Sequence, residues 1–331
     1  GTDWYATNYT DISAQTPANM RGPNNPGRDA LNIYGDEVSK TLPGIGLVSR
    51  TGYEEKDLMN YNVYSLKLNG ALHYRISNNL EAIYQYNFGQ GTASYTGSSR
   101  FDLNNFVLQT HRIELKGSNF FIRSYVVAEN SHDSYNTRSL AQFINRDWVQ
   151  DLNGNTVTPD QADAMWFTRY ADAYNGSISG VTPASNNAAR AFADQGRFLP
   201  NTAAFNNAKD ASIHNYGLSG SGVFSNSKFY HTEGQYDFTN SIKVFELLAG
   251  GSYRYYDMFT NGSLFDDKNH KITINEYGAF VQAAKKLLDD KLKLTASLRY
   301  DKDENFAGSF TPRFSAVYTV DKTQNFRASY Q

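Results

Sequence analysis

The feature that most constrains this chain is a two-residue alternation of apolar and polar side chains, repeated in segments of about ten residues. In the segment 66–76 the apolar side chains fall on one face of an extended strand and the polar side chains on the other. A short turn at 77–79 follows, and the alternation starts again at Leu80. This arrangement is typical of an antiparallel transmembrane β-barrel, in which one face meets lipid and the other borders the lumen.

The composition agrees with a membrane barrel and excludes several other classes of protein. The chain has a mean hydropathy of −0.58 and no run of about 20 apolar residues, which excludes a helical membrane protein. Aromatic residues make up 15% of the chain and fit the aromatic girdles of a barrel. The net charge of −2 offers no basic field, so no nucleic-acid partner is expected. Cysteine is absent, which removes disulfides and thiolate metal sites.

The alternation predicts about twelve strands of one barrel. A further strand is predicted within 50–57, where the alternation is poor. The other predicted strands lie at 4–11, 65–76, 80–96, 106–116, 120–131, 228–238, 242–258, 271–285, 292–301, 310–319 and 325–330.

Short and long connections alternate along the chain, and this orients the predicted barrel. Outer-membrane barrels have short periplasmic turns and long external loops, so the turn at 77–79 is expected in the periplasm. The short turns are predicted at 77–79, 117–119, 239–241, 288–291 and 320–324, and the long loops at 97–105, 136–227, 260–270 and 302–309.

The longest connection, 136–227, is predicted to be partly helical and external. Apolar residues within 139–148 have helical spacing, and Thr158 followed by Pro159 predicts the start of a second helix. Weaker helical patterns occupy 188–194 and 202–208. Long ordered loops usually carry function, so this segment is the first place to look for a ligand-binding site.

Two sets of candidate site residues follow from this arrangement. Charged residues on the polar faces of the strands are predicted to line the lumen, where opposite charges on neighbouring strands can pair. They are Glu81, Arg112, Arg123, Glu233, Glu246, Arg254 and Arg299. Rings and guanidinium groups of the long loop are predicted to stack on a ligand. They are Trp148, Trp166, Arg169, Tyr170, Tyr174 and Arg190. The alternative for the two tryptophans is that they pack the loop helices together, since their helical spacing is that of a buried stripe.

Signals for enzymatic chemistry are weak, and no cofactor or metal site is expected. The six histidines are scattered without a metal-binding spacing, and no Gly-x-Ser-x-Gly motif occurs. The segment 217–222 is rich in glycine but lacks the lysine of a phosphate-binding loop. Asp151 begins a segment that imitates a calcium loop, but Thr156 and Ala162 replace the required glycine and glutamate, so an Asn-Gly turn is favoured.

Several segments resemble the barrel region of TonB-dependent receptors of the Bacteroidota, and the resemblance spans nearly the whole chain. The segments are GTDWYATNYTD at 1–11, RTGYEEKDL at 50–58, FFIRSY at 120–125, TPDQADAMWF at 158–167 and FTPRF at 310–314.

The resemblance implies an active importer of the bacterial outer membrane. Such receptors are barrels of about twenty-two strands with a plugged lumen, and the TonB–ExbB–ExbD complex drives the plug from the inner membrane. A recognisable plug and TonB-binding segment are missing, so the chain is expected to be an interior piece of one such barrel. The implied partners are outer-membrane lipid, an unidentified nutrient and, in this lineage, a surface lipoprotein. The nutrient could be a siderophore, glycan, vitamin or peptide.

Two other functions remain open from the residues alone. A passive porin or structural barrel would show the same alternation without a plug. A soluble carbohydrate-binding or adhesive β-protein would place the aromatic residues between two packed sheets.

Overall fold

A computed structural model of the chain describes residues 25–30, 32–97 and 99–331. The strand expected at 4–11 lies outside the described residues. Most of the remaining chain forms one 11-stranded antiparallel sheet, in which neighbours in sequence are neighbours in space. Its long strands are β5 (Tyr64–Ser77), β6 (Leu80–Thr96), β7 (Arg100–Gly117), β8 (Phe120–Asn130), β10 (Lys228–Asp237), β11 (Glu246–Met258), β12 (Ile272–Leu287), β13 (Leu292–Asp303), β14 (Ser309–Thr319) and β15 (Asn325–Tyr330). The two-residue β9 (Tyr135–Asn136) pairs with the start of β7.

The observed strands differ from the predicted ones at three places. The loop expected at 97–105 is wrong, because β7 already begins at Arg100 and pairs with the end of β6. A register shift between Gly91 and Ala93 accommodates this pairing, and Asn105 has a φ of 56°, so the local alternation is broken although the strand continues. The strand expected from residue 242 begins instead at Glu246, because 238–242 form a hydrogen-bonded turn. Within 50–57 only Tyr53–Glu54 is extended.

The register places apolar and polar side chains on opposite faces of the sheet. Leu72, Tyr84 and Ile113 lie directly opposite one another on three neighbouring strands, and all three are exposed. Directly opposed residues of an antiparallel pair project from the same face, so these side chains form part of a continuous apolar surface. Ala249, Val281 and Leu298 continue the same kind of row on the later strands.

Residues 131–227 separate β8 from β10 and form a helical insertion. Its helices are α2 (Thr137–Asp147), α3 (Pro159–Tyr174), α4 (Asn186–Ala193) and α5 (Ala203–Ile213), followed by the 3₁₀ turn Gly217–Ser219. Asn136, Ser185 and Thr202 cap three of these helices with side-chain oxygens that accept backbone N–H groups. None of the helices formed by the described residues is long and apolar enough to cross a membrane.

Residues 25–30 and 32–60, here called the strap, precede β5 and pack against the insertion. The strap contains β1 (Ile33–Tyr34), β2 (Ser39–Leu42), β3 (Gly46–Ser49), β4 (Tyr53–Glu54) and α1 (Glu55–Leu58). The start of β5 and the end of β8 lie at one end of the sheet, because successive strands run in opposite directions. The strap and the insertion therefore meet at that end, which is the end predicted to be external.

Two hydrophobic cores hold the strap and the insertion together. Leu42 and Val48 of the strap pack with Trp166 and other residues of α3 and α4. Tyr53 and Leu58 of the strap pack with residues of α2 and α5. Neither segment could bury these side chains by itself, so the two segments form one folded body on the end of the sheet.

Candidate ligand-binding surface

The seven charged residues predicted to line the lumen all lie on one face of the sheet. Arg112 is in register with Gln85 of β6, which lies four residues from Glu81 and therefore on the same face as Glu81. Arg123 lies directly opposite both Glu114 and Glu233. The register carries the same face through Arg254, Glu246 and Arg299 on the following strands. The sheet thus has one charged face and one apolar face, and which compartment the charged face borders stays a prediction.

Opposite charges pair across this polar face. Arg123 forms an ion pair with Glu233, and Arg254 contacts Glu276 on the next strand at 3.1 Å. The ammonium group of Lys293 lies 2.7 Å from Glu246, two strands away. These pairs are partly exposed, so each contributes little to stability, but together they give the face a nearly balanced charge.

The tryptophans of the long loop are buried in the insertion. Trp148 is 2% exposed and Trp166 is fully buried, as is Tyr170 one turn further along α3. The indole Nε1 of Trp166 donates to Asp194 at 2.9 Å, and its ring meets Phe167 edge to face. Tyr174 is only partly buried at the edge of this core. The geometry matches the packing alternative for the two tryptophans, because their rings are not accessible to a ligand in this arrangement.

The two loop arginines bind backbone carbonyls in this structure. Arg169 is 3% exposed and donates to Asp151 O and Phe192 O, each at 2.8 Å. Arg190 reaches the strap, where it donates to Ser49 O at 2.8 Å and Pro26 O at 2.9 Å. Burial lowers the pKa of both guanidinium groups, and the carbonyl contacts replace lost water. Both side chains tie segments together and do not point into solvent.

Tyr170 adds a hydrogen bond within this core. Its hydroxyl donates to Asn186 Oδ1 at 2.8 Å, and burial raises the pKa of Tyr170 to about 12. A phenol in this environment stays neutral at any physiological pH.

Sequence reasoning missed the residue at the centre of this body, Arg50 of the strap. Arg50 is 1% exposed and forms an ion pair with Asp163, and it donates to Asn145 O at 2.7 Å. Its guanidinium carbon lies 5.3 Å from the ring centroid of Trp148 and 5.7 Å from that of Trp166. Burial lowers the pKa of Arg50, and Asp163 opposes this effect. No local pattern marks Arg50, because its partners lie about a hundred residues later in the chain.

A sizeable accessible concavity lies on the surface of the insertion. It is a cleft of about 650 Å³ between the end of α2, the start of α3 and the end of α5, within the size range of small-ligand sites. Its lining residues are Phe143, Arg146, Asp147, Pro159, Asp160, Asp163, Ala211, Ser212, Asn215, Leu218 and Ser219. Among the predicted ligand-binding residues, none lines this cleft.

The described residues form no metal site. Within 25–30, 32–97 and 99–331, no three histidine or acidic side chains are grouped to hold a metal ion. The segment that imitates a calcium loop forms a turn, in which Asp151 Oδ1 accepts from Asn153 N at 2.8 Å and from Asn155 N at 2.9 Å. These hydrogen bonds lower the pKa of Asp151.

Comparison with known proteins identifies the family. The family model described as "TonB dependent receptor-like, beta-barrel" matches residues 130–331, which is more than half of the chain. No curated protein matches the chain.

Several solved structures share a similar arrangement at very low sequence identity. The siderophore receptor PirA from Pseudomonas aeruginosa is 12% identical, with a TM-score of 0.42, over 78% of this chain and 31% of the receptor. A mutant of the ferric enterobactin receptor PfeA from the same organism is 11% identical, with a TM-score of 0.46, over 81% of this chain and 32% of the receptor. The chain therefore spans about a third of the length of these receptors.

The family match bears on one of the alternatives that the sequence left open, the soluble β-protein. Members of this family are outer-membrane proteins of Gram-negative bacteria, so the predicted location is confirmed and the soluble alternative is wrong. They are transporters and not enzymes. The 11-stranded antiparallel sheet, with its apolar and charged faces, suits a wall of such a barrel. The chain belongs to the TonB-dependent receptor-like β-barrel family.

Proposed function

We propose that the chain is part of the barrel of an outer-membrane receptor that takes up a large, scarce nutrient in a TonB-dependent manner. The family match over 130–331 carries this proposal. In it, residues 1–331 belong to one barrel domain of about twenty-two strands, whose plug lies elsewhere in the protein. The nutrient is a siderophore, glycan, vitamin or peptide.

In this proposal, the two faces of the sheet have different roles. The apolar face of the sheet meets outer-membrane lipid, and the charged face borders the lumen. The paired charges of Arg123 with Glu233 and of Arg254 with Glu276 then lie along the path that opens when the plug moves. TonB, with ExbB and ExbD, supplies the energy for that movement. A receptor of the Bacteroidota type would also have a surface lipoprotein as a partner.

The strap and the insertion form the outer surface that first meets the nutrient. Most of the predicted loop aromatics are buried, so we assign contact with the ligand to accessible groups nearby. These are the cleft lined by Phe143 and Leu218, and the partly exposed Tyr174. Trp148 and Trp166 act indirectly, by fixing the helices that carry these groups.

Genetic deletion tests the proposal directly. Loss of the full-length gene is expected to abolish high-affinity uptake of one nutrient, and loss of TonB is expected to abolish it equally. Uptake that persists without TonB would contradict the proposal and favour the passive porin. A porin would also conduct ions steadily in planar bilayers, whereas a plugged receptor is expected to stay closed.

A further inference from the structure

Hydrogen bonds from charged side chains to backbone carbonyls join the strap to the helical insertion. Three cationic side chains of the insertion donate to backbone carbonyls of the strap. Arg190 donates to Ser49 O at 2.8 Å, Arg197 to Gly52 O at 2.6 Å, and Lys209 to Leu58 O at 2.6 Å. Hydrogen bonds with a charged donor are roughly twice as strong as neutral ones, and these three are spread along the strap.

Other contacts run in the opposite direction, with the donor on the strap, and the one that carries a charge is that of Arg50. Arg50 extends from the strap into the insertion, where Asp163 pairs with it and the rings of Trp148 and Trp166 lie 5.3 and 5.7 Å away. The side chain is 1% exposed. Pulling the strap away would break this ion pair and the hydrogen bond from Arg50 to Asn145 O, whereas Asp163 would keep its ion pair with Arg146 at 2.8 Å.

A third junction ties both segments to the sheet. Asp102 near the start of β7 is fully buried, and its Oδ2 accepts from Asn60 N of the strap at 2.5 Å. The same oxygen lies 2.8 Å from the hydroxyl of Tyr135, at the start of the insertion. The last residue of the strap, the first strand of the insertion and β7 therefore meet at a single carboxylate.

We infer that the strap locks the helical insertion in one position on the outer end of the sheet. The insertion then does not swing as a lid about its two connections to the sheet, although its length would allow that. This inference builds on the proposed function, since a locked insertion means that a nutrient is captured on a preformed outer wall. Arg50 is the positioning residue of this lock, because it alone carries a buried charge from the strap into the insertion among the described residues.

Hydrogen exchange of the purified full-length receptor tests the lock without any ligand. In the wild type, the slowest amides of β3 in the strap and of α3 in the insertion are expected to exchange at the same rate, because they open together. Arg50→Met is expected to speed exchange in both segments at least tenfold and to leave β12 to β14 unchanged. Lys40→Met is the matched control, since Lys40 is an exposed cation of the same strap, and exchange there should stay within twofold of the wild type.

Two outcomes would overturn the lock. One is a wild-type strap that exchanges tenfold or more faster than α3, and the other is an Arg50→Met variant with an unchanged insertion. Both measurements are made without TonB. A result that contradicts the lock would therefore leave the proposed TonB-dependent uptake untouched, and the reverse also holds.

Crosslinking in living cells extends the test to the working receptor. Arg138 Nε of α2 lies 3.0 Å from Glu37 Oε1 of the strap on the outside of the body, and the chain has no cysteine of its own. Glu37→Cys combined with Arg138→Cys is expected to react with a short bis-maleimide at the same rate in cells with and without functional TonB. A tenfold slower reaction in cells with functional TonB would mean that the two segments separate, and the lock would be wrong.

Discussion

At the scale of single residues, burial decides which side chains hold the outer body together. Trp166 is fully buried, donates to Asp194 and lies near Arg50, so it joins the core to the ion pair beside it. Asp36 shows the opposite situation, because it is an acid in a site that disfavours its charge. Trp166 and Asp36 each lead to a prediction that cannot be made from the neighbouring residues in the sequence alone.

Trp166→Ala is expected to destabilise the insertion by about 3–5 kcal/mol, the usual cost of removing a buried tryptophan. Limited proteolysis of the full-length receptor in membranes should then show rapid cleavage within 131–227. Leu152→Ala is the control, because Leu152 is 52% exposed and its loss should change little. Equal cleavage rates for the two variants would contradict the burial of Trp166.

Asp36 predicts a pH dependence of the strap. Burial raises the pKa of Asp36 to about 7, and Asp29 and Glu37 add repulsion, while Ala30 N donates to its Oδ2 at 2.8 Å. The folded strap holds the proton up to about pH 7, whereas the unfolded chain releases it near pH 4. Stability should therefore fall as the pH rises from about 4 to about 7, and then level off.

Hydrogen-exchange protection factors for the strap measure this effect at pH 5 and pH 8. Wild-type protection is expected to be lower at pH 8, and Asp36→Asn should remove most of the difference while it keeps an acceptor for Ala30 N. A wild-type protection factor that is equal at the two pH values would contradict the prediction.

At the scale of elements, capping explains how short helices persist in a long connection. α4 has eight residues, too few to be stable alone, and it depends on its cap and its packing. Ser185 accepts the backbone N–H of Ala188, whereas Thr158 at the start of α3 makes no side-chain hydrogen bond to its helix. Pro159 presets the first turn of α3, which makes a cap less important there.

Ser185→Ala is accordingly expected to destabilise α4 by about 1 kcal/mol, and Thr158→Ala should cost α3 clearly less. Hydrogen exchange of the amides in each helix measures both effects in the same protein. If the two substitutions speed exchange equally, the hydrogen bond from Ala188 N to Ser185 does not stabilise α4 in the way expected of a helix cap.

At the scale of the whole molecule, the two faces of the sheet determine how it sits in a membrane. Ser297 and Leu298 are neighbours in β13, yet they project from opposite faces, opposite Gln282 and Val281 respectively. The two residues are adjacent in sequence, but the side chain of Leu298 lies on the apolar face and that of Ser297 on the charged face.

Arginine substitution at these two sites tests the assignment of the faces. Leu298→Arg is expected to cost about 2–4 kcal/mol near the middle of the bilayer, because it places a charge in lipid. Ser297→Arg should be tolerated, since its face already carries Arg299 and Arg313. The measurement is the yield of folded receptor in the outer membrane. A larger loss of yield for Ser297→Arg than for Leu298→Arg would mean that the assignment of the two faces is reversed.

The sequence by itself determined most of the strands of the described residues and the two faces of the sheet, and its resemblance indicated the family that the match over 130–331 shows. Alternation is a local property with a period of two, so a ten-residue window suffices to find a strand and to sort its side chains. It failed where the backbone departs from ideal pairing, as at 100–105, where a register shift hides a continuing strand. The start of α3 was equally visible, because Thr158 and Pro159 act within one turn of helix.

Only the tertiary structure decided how the outer body is built. Arg50 and Asp163 are 113 residues apart, and nothing in either neighbourhood predicts that they meet. Trp166 and Arg190 have the composition of a ligand site, but the strap covers them, and a sequence does not reveal which distant segment will cover which surface. The physical reason is that burial depends on the sum of long-range contacts, whereas the alternation of a strand depends on the geometry of adjacent residues.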